Sequence, residues 1–204
     1  MIAVIGYGSG NVKAIQNIYK RLNIDCFVAE KPSQLANATH LVLPGVGAFD
    51  TTLGLLERSG MREALDHHVK VDRIPILGIC VGMQIMANAG EEGEAQGLGW
   101  VNGHVRRLKT DGIAHKPYLP HLGWNSIEIN QSHALFTGVE PSQGFYFLHS
   151  YFFDCAEPEA ILATTEYGDR FTVSVQNENV FGVQFHPEKS HHNGIQVFKN
   201  FASF

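Results

Sequence analysis

The stretch Gly78-Ile79-Cys80-Val81-Gly82-Met83-Gln84 constrains the fold more than any other part of the chain. It follows Ile74-Pro75-Ile76-Leu77, a short apolar run that reads as a buried strand. It precedes Ile85-Met86-Ala87-Asn88-Ala89, which reads as a continuing helix. A strand, a sharp turn flanked by glycines and a helix make the nucleophile-elbow pattern, here with Cys in the nucleophile's place. Gly78 and Gly82 lack Cβ, so the turn can be tight and neighbouring backbones can come close. The turn sets Cys80 at a helix N-terminus, whose partial positive charge favours a thiolate over a thiol of pKa roughly 8.5. The competing reading is a buried structural cysteine. A nucleophile also needs a base and an oxyanion site, and the rest of the chain must supply them.

Length and composition bound the alternatives. The chain of 204 residues suits one α/β domain over residues 1–204, and 44% hydrophobic residues are enough for a sizeable core. A net charge of −5 gives no reason to expect nucleic acid or an anionic membrane as partner. No apolar run approaches the ~20 residues of a spanning helix. Met1-Ile2-Ala3-Val4-Ile5 lacks the basic start of a signal peptide and reads as a first strand. Cys26, Cys80 and Cys155 are an odd and widely spaced set, which argues for a reducing cytoplasm rather than a disulfide framework.

Along the first half, strands are expected at Ile2–Ile5, Cys26–Ala29 and Leu41–Leu43, and helices over Val12–Leu22 and about 51–69. Gly6, Gly8 and Gly10 alternate rather than keep dinucleotide-binding spacing, so this loop reads as a tight strand-to-helix turn, with Asn11 at its surface. Pro44-Gly45-Val46-Gly47 leaves the third strand at its carboxyl end, where open α/β sheets bind ligands. It is the candidate second half of an oxyanion hole whose first half is the N–H of Val81. His67-His68 reads as a solvated helix terminus, and no metal-ligand set is evident. Glu91-Glu92-Gly93-Glu94 reads as a polar, solvated loop; the competing reading has one of its acids binding a substrate ammonium near the cleft.

The second half changes character. Gly103–Leu108, Asn125–Ile129, Gly144–Phe152, Thr172–Gln176 and Val180–Phe185 alternate or run aromatic and read as strands, some antiparallel. A short amphipathic helix from Gly194 to Phe204 closes the chain. His186-Pro187-Glu188 follows the last strand. A base and a carboxylate two residues apart can face one side, with His186 as general base toward Cys80 and Glu188 setting its tautomer.

Three motifs, Gly78-x-Cys80-x-Gly82-x-Gln84, Pro44-Gly45-Val46-Gly47 and Gly182-x-Gln184-Phe185-His186-Pro187-Glu188, together resemble the triad (class I) glutamine amidotransferases over essentially the whole chain. Within that family the chain is most similar to the glutaminase subunits of imidazole glycerol phosphate synthases. That likeness is carried by Tyr7-Gly8-x-Gly10-Asn11, Pro120-His121-x-Gly123-Trp124-Asn125, Tyr146-Phe147-x-His149-Ser150-Tyr151 and Lys199-Asn200-Phe201. The resemblance implies a flavodoxin-like α/β fold: a mostly parallel central sheet flanked by helices, with antiparallel strands in the second half. It implies Cys80, His186 and Glu188 as triad, the loop Gly45, Val46 and Gly47 with Val81 at the oxyanion, and Gln84, Glu92, Ser150 and Tyr151 around L-glutamine. It implies no cofactor, and a heterodimer with a (β/α)8-barrel synthase/cyclase subunit that takes the ammonia in histidine biosynthesis. Asn11 and, on the proline- and glycine-rich loop Pro120–Trp124, Trp124 are expected at that partner interface.

Where many members have Asp before the tyrosine, this chain has Gly6. Gly99-Trp100 and Ser190-His191-His192 look like a paralogous branch that supplies ammonia to a sugar amidotransferase in bacterial surface-polysaccharide synthesis. That branch stays open as the alternative acceptor system. A non-catalytic or redox-sensing protein on the same fold is the reading from a different class.

Overall fold

A computed structural model of the chain describes residues 1–113, 116 and 118–204. Four segments, β1 (Ile2–Ile5), β2 (Cys26–Ala29), β3 (His40–Gly45) and β4 (Ile76–Cys80), form the parallel half of a sheet. The late strand β13 (Val180–Val183) joins β4 in parallel, Gly182 opposite Gly78. Beyond β13 the sheet turns antiparallel through β12 (Asp169–Asn177), β11 (Ile161–Tyr167) and β8 (Glu128–Ile129), in the order β2-β1-β3-β4-β13-β12-β11-β8. Two small sheets complete the strands: β5 (Ala89–Gly90), β6 (Gly103–Arg107) and β10 (Tyr151–Cys155), and the ribbon of β7 (His121–Asn125) with β9 (Phe145–His149).

Every residue of β1, β4 and β13 is buried, as expected for strands covered on both faces. Helix α1 (Val12–Arg21) packs against α5 (His191–Phe201), with the Tyr19 and Phe198 rings edge to face at 5.2 Å. Helices α2 (Phe49–Arg58) and α3 (Met61–Lys70) pack on one another, and one-turn α4 (Val81–Gln84) follows β4 directly. Because the chain runs outward from β1 to β2 and then back to β3, the sheet has a switch point beside β1. Residues just beyond the carboxyl ends of β3, β4 and β13 line one cleft, on the side of the sheet where such folds bind ligands. Among the described residues no helix is long and apolar enough to cross a membrane.

Several elements differ from the sequence expectation. The helix expected over 51–69 is two helices, because Gly60 takes φ 72° between them. The helix expected through Ala89 stops at Gln84, because the loop at 97–101 captures its carbonyls. Leu98 donates to Ile85 at 2.8 Å, Trp100 to Met86 at 2.9 Å and Gly99 to Ala87 at 3.1 Å. Asn125–Ile129 is not one strand but the last residue of β7 and the whole of β8, and Gly144–Phe152 is broken at Ser150 into β9 and β10. Strand β11 has no counterpart in the sequence reading. Trp124 is 48% exposed on β7, where it stacks on His191 at 5.1 Å, whereas Trp100 is buried.

The corner between β4 and α4 depends on close backbone contact. A Cβ on Gly82 would stand 1.9 Å from the Leu43 carbonyl oxygen, and one on Gly45 would stand 2.3 Å from Gly82 N. Gly82→Ala is therefore expected to push α4 away from β3 and lower stability by about 1–3 kcal/mol, as overpacking does. Urea denaturation of the variant beside the parent checks this, and an unchanged midpoint would contradict the close contact.

Candidate active site

Cys80 ends β4 and begins the turn into α4 with φ 54° and ψ −114°. A non-glycine residue in this region costs of order 1–3 kcal/mol, and such strain clusters at functional sites. The conformation holds the thiol at the crevice, with the Leu148 carbonyl 4.0 Å and the Gln184 amide nitrogen 3.7 Å from Sγ. The residue is buried at 3% exposure, its sulfur facing an open cleft of about 330 Å³.

His186 lines the same cleft. Its backbone is fixed to β9: His186 N–H donates to the Tyr146 carbonyl at 2.9 Å, and Ser190 Oγ donates to the His186 carbonyl at 2.6 Å. Nδ1 lies 2.8 Å from Glu188 Oε1, which also accepts from the Asn11 amide at 2.6 Å. A carboxylate only accepts, so Nδ1 carries the proton and Nε2 is directed to other work. Burial opposes charge on the imidazole. Hydrogen bonding and charge from Cys80 and Glu188 outweigh it and push the His186 pKa up to about 10. Burial likewise opposes the charge on Glu188, yet the bonds from His186 and Asn11 hold its carboxyl below the usual range. Cys80 and His186 therefore act on one another across the cleft that both line.

Around this pair the structure sorts the remaining candidates. Val46, Gly47, Val81, Gln84, Glu92, Ser150 and Tyr151 all line the cleft, while Gly45 sits inside β3 against Gly82. The Val81 N–H, first in α4, has no acceptor within its helix. The Val46 carbonyl accepts from Ser9 Oγ at 2.9 Å and from Thr52 Oγ1 at 3.4 Å. A planar trans peptide then turns the Gly47 N–H to the side opposite that carbonyl, and Gly47 lines the cleft. The Val46 N–H itself is engaged by Ser9 Oγ at 2.9 Å.

Of the three acids at 91–94 only Glu92 lines the cleft, and it accepts from the Phe49 N–H at 2.8 Å, at the start of α2. Glu91 turns to Arg106 and the Arg107 N–H instead. Asn11 lines the cleft with its amide committed to Glu188, and Trp124 stands outside the cleft wall. Among the described residues, no cluster of His, Cys, Asp and Glu could hold a metal ion.

Sequence reasoning passed over Ser9, His149, Gln184 and Lys189. The glycine-rich turn carrying Ser9 is a brace: Tyr7 Oη donates to the Pro44 carbonyl at 2.6 Å, and Ser9 holds Val46. Gln184 Oε1 accepts from Gln84 Nε2 at 3.0 Å, and Lys189 lies over the Tyr146 ring at the cleft edge. Gln184 and His149 stood within motifs of the chain, but a motif gives no contact.

Comparison with known proteins gives a consistent picture. A sequence model of the family described as glutamine amidotransferase class-I matches residues 3–203. The chain is 50% identical over 206 aligned positions to the imidazole glycerol phosphate synthase subunit HisH of Bdellovibrio bacteriovorus, covering 99% of each. It is 42% identical to the same-named subunit of Leptospira interrogans, covering 100% of each. Among solved structures, PurLQS from Thermotoga maritima superposes with a TM-score of 0.74 at 17% identity, covering 99% of this chain and 97% of that one.

The raised His186 pKa has a stability consequence. A base whose folded pKa stands at about 10 against 6.5 unfolded contributes stability that is complete below pH 6.5 and lost as pH rises through 10. Urea midpoints of the parent and of His186→Gln, followed from pH 6 upward, are expected to converge as the pH approaches 10. Parallel curves would remove the charged-imidazole assignment.

Proposed function

The chain belongs to the class I glutamine amidotransferase family, and from that premise we propose that it is the glutaminase subunit of an imidazole glycerol phosphate synthase, one domain over residues 1–204. The observation that carries the chemistry is the strained Cys80 at a strand–helix corner, sharing one cleft with a His186 held by Glu188.

In this reading Cys80 thiolate attacks the side-chain carbonyl carbon of L-glutamine. The oxyanion of the tetrahedral intermediate is met by the N–H groups of Val81 and Gly47, a contribution whose loss costs about 10²–10³ in kcat. Protonated His186 gives its Nε2 proton to the departing nitrogen, and ammonia leaves as the C–N bond breaks. A γ-glutamyl thioester remains on Sγ. Neutral His186 then takes a proton from water as the hydroxyl adds to the thioester. The C–S bond breaks, glutamate departs, and the thiolate–imidazolium pair is restored. Glu188 and Asn11 keep the imidazole in the Nδ1–H form throughout. Glu92 offers a carboxylate to the substrate ammonium, and Ser150 and Tyr151 form the opposite edge.

Ammonia leaves toward a (β/α)8-barrel synthase/cyclase subunit, which forms a heterodimer with this chain. Support for docking beside the cleft comes from exposed apolar side chains: Val46 and Leu148, which line it, are 42% and 40% exposed, and Leu122 and Trp124 on the adjoining β7 are 60% and 48% exposed. Three free thiols fit a cytoplasmic enzyme.

Cys80→Ser is expected to abolish glutamine-dependent synthesis by the heterodimer and to leave ammonia-dependent synthesis intact. Retained glutamate release would remove the nucleophile. Within the triad, Glu188→Gln is expected to lower kcat less than His186→Ala, because Glu188 orients and His186 moves the proton. A larger loss at Glu188 would reverse the two roles. Trp124→Ala is expected to weaken binding of the barrel subunit by about 2 kcal/mol, within the hot-spot range, with little change in melting temperature. Glutamate release is expected to rise when the barrel subunit and its acceptor substrate are added to the isolated chain. A response only to a sugar-directed synthase would move the chain to the other ammonia acceptor.

A further inference from the structure

The ribbon of β7 and β9 sets His121 opposite His149 and Leu122 opposite Leu148. Strand alternation sends the leucines outward and the imidazoles inward, where they are 3% and 6% exposed. His149 Nδ1 lies 2.8 Å from the Tyr151 carbonyl, which only accepts, so Nδ1 carries the proton. A neutral ring leaves Nε2 as acceptor, and its neighbour at 3.0 Å is His121 Nδ1. His121 therefore donates from Nδ1, and its Nε2 accepts from the Asn125 amide at 3.3 Å. Every bond in the series runs the same way, from Asn125 through His121 and His149 to the Tyr151 carbonyl. That carbonyl also accepts from Gln84 at 2.9 Å.

We propose that His121 and His149 are positioning residues: a neutral, fixed-tautomer pair that holds the Tyr151 carbonyl, and with it the Ser150–Tyr151 edge of the glutamine cleft, from the ribbon whose outer face carries Leu122 and Leu148. The identity of the molecule in the cleft rests on the glutaminase reading. The Ser150 carbonyl is turned away to the Leu108 N–H at 2.9 Å, so the Tyr151 N–H of the same peptide points to the opposite side. With both of its flanking peptides held, the Tyr151 segment is fixed before substrate arrives, which saves the ordering cost at binding. Burial and the nearby His121 push the His149 pKa down to about 3 against the bond to Tyr151, so His149 stays neutral at working pH. The inner relay thereby ties the outer face of the ribbon to the cleft edge through two side chains.

The test has two independent parts. Two-bond ¹H–¹⁵N correlation spectra of the histidine-labelled full chain at pH 7.5 are expected to show Nδ1–H on both His121 and His149. An Nε2–H form on either ring overturns the relay. In the heterodimer, His149→Leu is expected to raise KM for glutamine about tenfold, the equivalent of one lost hydrogen bond, with kcat within about threefold of the parent. His149→Asn keeps an N–H near the Nδ1 position and is expected to return KM to within about threefold. Equal loss in Leu and Asn variants, or lowered melting temperature with unchanged KM, would reduce the pair to packing and overturn the proposal. If the parent heterodimer releases no glutamate from glutamine, the glutaminase reading fails instead, and the relay stands or falls on the tautomers alone.

Discussion

The contact between Gly82 and the carbonyl of Leu43 is the constraint on which the site depends. It lets α4 begin directly over β3, so that the chain turns at Cys80 within one residue of leaving β4. With any side chain at Gly82, α4 must move off β3, and the N–H of Val81 moves away from the loop that follows β3. Cys80 and the Val81 and Gly47 N–H groups proposed to act with it thus depend on a single backbone geometry. The strain at Cys80 is sustained by the buried strands on both sides, because β3 and β13 pair with β4 along its length.

A polar framework inside an otherwise apolar core does the finer positioning. Gln84 links the Tyr151 carbonyl to Gln184, and Gln184 reaches the cysteine sulfur. His186, Glu188 and Asn11 form a second series on the other side of the cleft. Buried polar groups are costly when unpaired, so each series has few alternative arrangements and holds its members in one orientation. Glu188 Oε2 is an exception, buried and without a partner among the described residues. Its other oxygen takes both donors.

The two halves of the molecule divide the labour. The parallel half supplies strand ends, where Cys80 and the Val46–Gly47 loop lie. The antiparallel half returns β13 to the centre of the sheet and so delivers His186 beside a cysteine more than a hundred positions earlier. The β7–β9 ribbon lies over this junction, since the Tyr146 carbonyl accepts from His186 and His149 reaches Tyr151. The site is thereby adjacent to the exposed Leu122, Trp124 and Leu148.

Local chemistry was legible in the residues themselves. Glycines around Cys80 specify a tight corner, an apolar run before it specifies a buried strand, and His186 two residues before Glu188 puts an imidazole within reach of a carboxylate. These depend on backbone sterics and on spacing of a few residues, which a sequence displays directly. Element ends were less legible: Gly60 gives no sign that it will take a positive φ, and the carbonyls after Gln84 lose their helix only because the loop at 97–101 reaches them. The assignments that only tertiary structure decided all involve long-range pairing. Asn11 looked like a surface residue until Glu188, 177 positions away, took its amide. Ser9 drew no reading from the sequence until Val46 bonded to it, and His121 and His149 became a relay only when β7 and β9 came into register. A hydrogen bond needs its partner within about 3 Å and in line. That condition is set by how the strands assemble, and no stretch of sequence carries it alone.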